Sequence, residues 1–127
     1  MKYLIAAACV AVAGAGMALA EPVVGTWKTE VDDGAYAHVA MSKCGAKICG
    51  KIAKAFDANG PIASENVGKQ LVWDMEPAGD GSYGSGKIWQ PSTGKVFKSK
   101  MSLNGNVLNV SGCVGPFCKK QTWTRVN

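Results

Sequence analysis

Four cysteines carry the clearest chemical signal in this chain: Cys44 and Cys49 are separated by four residues, and so are Cys113 and Cys118. Thiols so arranged can bridge two hairpins or, taken together, hold a metal. Metal ligands usually come as C-x-x-C, so the wider spacing favours two disulfides over a four-cysteine site. His38 is the single histidine, and with all four thiols oxidised it has no nucleophile to activate. Asp32-Asp33-Gly34 reads as an ordinary turn. Asp57-Ala58-Asn59-Gly60 begins like a calcium loop, but Gly68 stands where an EF-hand needs its glutamate. Asn109-Val110-Ser111 is a glycosylation sequon that most bacteria do not use. These residues give no metal, phosphate or nucleophile motif, so the expectation is a non-enzyme without cofactor.

Short apolar runs broken by Gly, Pro, Asn and Asp argue for an all-β chain. Strands are expected near 24–30, 36–43, 48–55, 69–76, 84–90, 96–103, 107–113 and 118–126. The long 56–68 connection is a lid candidate, with room for one helical turn after Pro61. Alternation points Trp27, Val39, Met41, Ile48, Ile52, Leu71, Trp73, Met75, Phe97, Met101, Leu103, Leu108, Val110 and Trp123 inward. Ala37, Gly50 and Ser99 leave some room among them, so any cavity is expected to be small. Strand 84–90 stays ambiguous between Ile88 and the pair Lys87 and Trp89. The same parity puts both cysteine pairs outward, as hairpin bridges require, and it leaves His38, Asp74 and Glu76 on solvated faces.

Gly25-Thr26-Trp27 opens the first strand and Arg125 closes the last. If eight sequential antiparallel strands close into an up-and-down barrel, first and last become neighbours, and the guanidinium can lie over the indole. Gly25, Trp27 and Arg125 then form a structural seam at the barrel floor. The turns 31–35, 56–68, 91–95 and 114–117 gather at the other end, as an open mouth.

Residues 1–20 read as a secretory signal peptide: Lys2, an alanine-rich apolar stretch, then Ala18-Leu19-Ala20 before Glu21. Cys9 leaves with it, and 21–127 remain as a single domain with no transmembrane segment, periplasmic or secreted. The chain's net charge of +5 is modest and spread along it, so nucleic acid is not an expected partner. Lys95, Lys98, Lys100, Lys119 and Lys120 could face anionic lipid or cell-wall surfaces, or be ordinary solvated strand faces.

The opening and closing residues resemble the lipocalin and wider calycin signature, in a chain shorter than a typical lipocalin and without that family's other motifs. A fuller resemblance is to small exported bacterial proteins labelled domain of unknown function 2147. It rests on Gly25-Thr26-Trp27, Cys44-Gly45 through Ile48-Cys49-Gly50-Lys51-Ile52, Gly68-Lys69 leading to Trp73-Asp74-Met75, Gly86-Lys87-Ile88, Pro91, Gly94-Lys95-Val96-Phe97, and Cys118 through Gln121-Thr122-Trp123-Thr124-Arg125. The resemblance implies a lipocalin-like barrel in the bacterial envelope and supplies no activity.

Aromatic residues crowd the expected mouth: Tyr36, Phe56, Trp89, Phe97 and Phe117, with Trp73 and Met101 deeper. They are the candidate ligand-binding residues of a module for a small hydrophobic or amphipathic molecule. The alternative is a filled barrel that works through its surfaces as a partner of cell-envelope components, with no small-molecule ligand.

Overall fold

A computed structural model describes residues 21–127, so the expected signal peptide, with Cys9, lies outside the described residues. Nine strands follow in order: β1 (Gly25–Lys28), β2 (Ala35–Cys44), β3 (Lys47–Asp57), β4 (Gly60–Ile62), β5 (Gln70–Gly79), β6 (Ser82–Gln90), β7 (Lys95–Asn104), β8 (Val107–Val114) and β9 (Phe117–Arg125). Each pairs antiparallel with its sequence neighbour, except that β4 only folds back on the end of β3, which pairs onward with β5. β1 pairs with both β2 and β9. Eight strands therefore close into an up-and-down barrel, with β4 as an appendage. No helix forms after Pro61, because Gly60–Ile62 pairs with Ala55–Asp57 and the chain then turns at Ser64–Val67.

The seam is built from the residues that flag it in the sequence. Trp27 pairs with Arg125, whose guanidinium lies 4.4 Å from the indole centroid. Its Nη2 donates to the Pro22 carbonyl at 2.8 Å, and Nη1 reaches that of Val24 at 3.4 Å. Gly25 has φ +142°, and a Cβ there would stand 2.5 Å from the Asn127 oxygen and 3.0 Å from Arg125 Nη1. The glycine is needed because the chain ends cross there. Residues 21–24 plug the floor: Val23 is fully buried, its carbonyl accepts from Trp27 Nε1 at 2.9 Å, and the Tyr83 hydroxyl donates to Glu21. Burial and that hydrogen bond push the Tyr83 phenol well above its usual range.

Two bulges overturn part of the simple alternation. Asp74 (φ 57°) and Ser85 (φ 58°) adopt left-handed backbone side by side on β5 and β6. Each is an extra residue relative to the strand outside it, β3 or β7, and an extra residue reverses which face the next side chain meets. Val72 therefore joins Met75 inside, and Trp73, expected inward, is turned out and half exposed beside Lys87. On β6, Tyr83, Gly86 and Ile88 face in, which leaves Lys87 and Trp89 on the outer side. Gly86 is obligatory there, since a Cβ would meet Met75 Sδ at 2.5 Å and the Trp73 carbonyl at 2.8 Å.

Both cysteine pairs are bonded, Cys44 to Cys49 and Cys113 to Cys118. Cys113 and Cys118 face each other directly, whereas Cys44 stands opposite Lys47, so the first bridge runs diagonally. Cys49 keeps its outward parity yet is buried.

Candidate functional site

The barrel is filled in its floor half and open in its mouth half. Trp27, Met41, Met75, Met101, Tyr83 and Leu108 pack the lower interior. Above them the inward positions shrink to Ala37, Ala55 and Gly112, and a cavity of about 860 Å³ opens. That is far larger than the small cavity expected, and two particulars explain it. Trp73 lies outside, and Gly112 contributes no side chain to the interior, where a Cβ would meet Ile88 at 3.3 Å and Phe97 at 3.6 Å. The body of the cavity is apolar, walled by Ile52, Leu71, Ile88, Phe97, Val110 and Trp123. All four expected mouth turns reach it, through Val31, Ile62, Pro91 and Val114.

Of the candidate ligand-binding residues, Tyr36, Trp89, Phe97 and Phe117 border this space, whereas Phe56, Trp73 and Met101 do not. Met101 is sealed in the floor core. Strand parity puts both Tyr36 and Trp89 on the outer side, although Trp89 stays partly buried against the core. The Tyr36 ring stacks on Phe56, centroids 4.9 Å apart, with the Lys28 ammonium 4.8 Å from its own centroid. Lys69 lies 5.5 Å from the Trp89 ring. His38 stands on the same outer face against Phe56, with centroids 4.5 Å apart. Partial burial, then the charges of Lys54 and Lys28, lower its pKa.

Several polar groups at the entrance were not among the sequence candidates. Trp123 faces in, so period two carries Gln121 and Lys119 inward as well, and both line the cavity. Gln121 Oε1 accepts from Trp123 Nε1 at 2.8 Å. Asp32, between β1 and β2, accepts from Ser92 Oγ at 2.8 Å and from Gln90 Nε2 at 3.4 Å. Ser92 belongs to the β6–β7 turn on the far side of the ring, so this carboxylate bridges the mouth. No sequence signal marked that contact, which spans the whole barrel. The wall is also incomplete on one side. β1 pairs with β9 only through Trp27 and Lys28, and beyond them the Glu30 carboxylate accepts the Thr122 backbone N–H. Residues 29–33 and 117–121 then face each other across the cavity's flank.

Among the described residues no group of three or more His, Cys, Asp or Glu side chains is placed to hold a metal ion. No helix among them is long and apolar enough to cross a membrane. The geometry is that of a container with an apolar body, a polar rim and a bridged entrance.

Comparison with known proteins agrees with the architecture. The Helicobacter pylori protein HP1028, which belongs to the lipocalin family, superposes with a TM-score of 0.66 over 83% of each chain at 19% sequence identity. At that identity the likeness shows the fold alone. No curated protein matches the sequence. The model of one bacterial family matches residues 25–125, from the glycine of the seam to its arginine, and the chain thus belongs to the family described as an uncharacterized protein conserved in bacteria, DUF2147.

Proposed function

We propose that this protein is an exported, non-enzymatic binding module that takes up a small hydrophobic or amphipathic molecule through the mouth of its barrel. One observation carries the reading: the cavity of about 860 Å³, apolar in its body and polar at its entrance. Ligand sites commonly measure ~300–1,000 Å³ and are lined in this way. A dry, filled interior would have favoured a barrel acting only through its surface, and this interior is not filled. Two disulfides are compatible with an oxidising compartment, as is cleavage of residues 1–20 ahead of Glu21.

The test is titration of the mature protein with a fluorescent fatty-acid probe, followed by quenching of tryptophan emission. Phe97→Asp places a carboxylate in the apolar wall and is expected to weaken binding by a factor of about 10 or more. Lys51→Asp, on the exposed outer face of β3, is expected to leave affinity unchanged. No probe binding up to high micromolar concentration would overturn the proposal, as would a Phe97→Asp effect confined to stability.

A further inference from the structure

The net charge looks evenly spread because lysines occur throughout, but the carboxylates do not. All nine acidic side chains precede residue 81, and none follows Asp80. The chain from β6 to β9 therefore carries Lys87, Lys95, Lys98, Lys100, Lys119, Lys120 and Arg125 with no acidic side chain among them. Arg125 is committed to the floor, where Asn127 also lies, its main-chain oxygen accepting from Thr26 N at 2.9 Å. The other six are exposed lysines.

The register concentrates them. Lys87 stands directly opposite Lys98. Lys100 and Lys120 both pair with Ser111, one on each side, so they sit in one row across β7, β8 and β9. Like charges directly opposite on a sheet repel, and among the described residues no ion pair relieves these. The one salt bridge identified among the described residues, Lys47 with Glu76, lies elsewhere.

A second feature coincides with this wall. The most exposed large apolar side chain is Phe117 at 79%, followed by Val31 at 66%, Val114 at 65% and Val96 at 51%. All four lie at the mouth end, Val31 on the β1–β2 connection and the other three on the wall, on β7, β8 and β9. Val114 and Phe117 flank the Gly115-Pro116 turn, and the Cys113–Cys118 bridge ties the base of that hairpin tip. Val96 is next door on β7. The acidic groups of the entrance, Glu30, Asp32 and Asp33, lie on the β1–β2 connection, where the Glu30 carboxylate is occupied by the Thr122 N–H and that of Asp32 by Ser92 and Gln90.

We infer that the β6–β9 wall and its Val114–Phe117 tip form a docking surface for an anionic lipid bilayer. Lysines on the wall meet the negative headgroups, and Phe117, Val114 and Val96 enter the boundary between headgroups and acyl chains. A soluble polyanion would use the lysines and leave the apolar tip without a role; a bilayer uses both. The open flank between residues 29–33 and 117–121 borders the same Val114–Phe117 tip. This inference stands whether or not the cavity takes a ligand.

Vesicle flotation with the disulfide-bonded mature protein tests it. Binding is expected to vesicles of phosphatidylcholine containing about one-third phosphatidylglycerol, to be near absent with phosphatidylcholine alone, and to fall with added salt. Phe117→Asp is expected to weaken binding by about tenfold. Its side chain is already exposed, so an unchanged denaturation midpoint is expected alongside. The combined change Lys98→Glu, Lys100→Glu and Lys120→Glu is expected to abolish flotation, whereas Lys43→Glu, Lys51→Glu and Lys54→Glu, with the same charge change on β2 and β3, leaves it within about twofold. Equal loss from both triple variants would reduce the effect to net charge and overturn the inference. So would indifference to Phe117→Asp, equal binding to neutral vesicles, or no flotation at low salt.

Discussion

Arg125 and His38 show how a side chain's worth depends on what its strand register places beside it. Arg125 covers Trp27 and donates to floor carbonyls that the strands leave unpaired. Its truncation to alanine uncovers the indole and removes those hydrogen bonds, a loss of about 1–3 kcal/mol. Urea denaturation of Arg125→Ala is expected to show a lower midpoint with little change in slope, and an unchanged midpoint would contradict the seam's role. His38 makes a pH-dependent contribution. Its pKa is lowered in the folded barrel by partial burial and by Lys54 and Lys28, so the unfolded chain, with an imidazole near 6.5, takes up the proton first. Stability from this group is therefore full above pH 6.5 and declines as pH falls toward its lowered folded value. His38→Gln is expected to flatten the stability profile across that window, and equal slopes in both proteins would refute the assignment.

At the scale of strands, the paired bulges of β5 and β6 decide which residues the barrel contains. Asp74 and Ser85 hold left-handed backbone that side chains other than glycine occupy at a cost of about 1–2 kcal/mol. Their persistence shows that the strands on either side over-determine the register. Ser85→Gly is expected to be neutral or stabilising, and Ser85→Val to destabilise by about 1–2 kcal/mol, since a β-branched residue tolerates that region poorly. Thermal melts of the two variants check the difference, and a harmless valine would mean that the bulge relaxes. The same device explains why Trp73 leaves the interior. A one-residue insertion into a period of two exchanges the faces, and no feature of Trp73-Asp74-Met75 marks where the extra residue falls.

For the whole molecule, the interior is divided into a packed floor and an open mouth, and the ionisable side chains into a mixed stretch up to Asp80 and a stretch after it whose charged side chains are all basic. The cavity can be closed without dismantling the fold. Ala55→Leu directs a side chain into that space from β3. It is expected to leave the melting temperature equal or higher while reducing probe affinity by a factor of about 10 or more. A large fall in stability would show that the upper interior is already packed.

The sequence alone determined the closed eight-stranded barrel, the Trp27–Arg125 seam, both disulfide pairings and the end at which the turns gather. Each depends on local patterning: turn residues every few positions, period-two burial, and the rule that a sequential barrel joins its first strand to its last. The lack of any Asp or Glu after Asp80 is also in the sequence, but the even spread of lysines made the charge read as uniform. Tertiary structure decided the rest. Bulges at Asp74 and Ser85 reset the faces, which moved Trp73 out and settled the ambiguous strand in favour of Ile88. The Asp32–Ser92 bridge and the size of the cavity depend on groups brought together across the barrel, and a linear pattern of neighbours holds no record of distances between opposite walls.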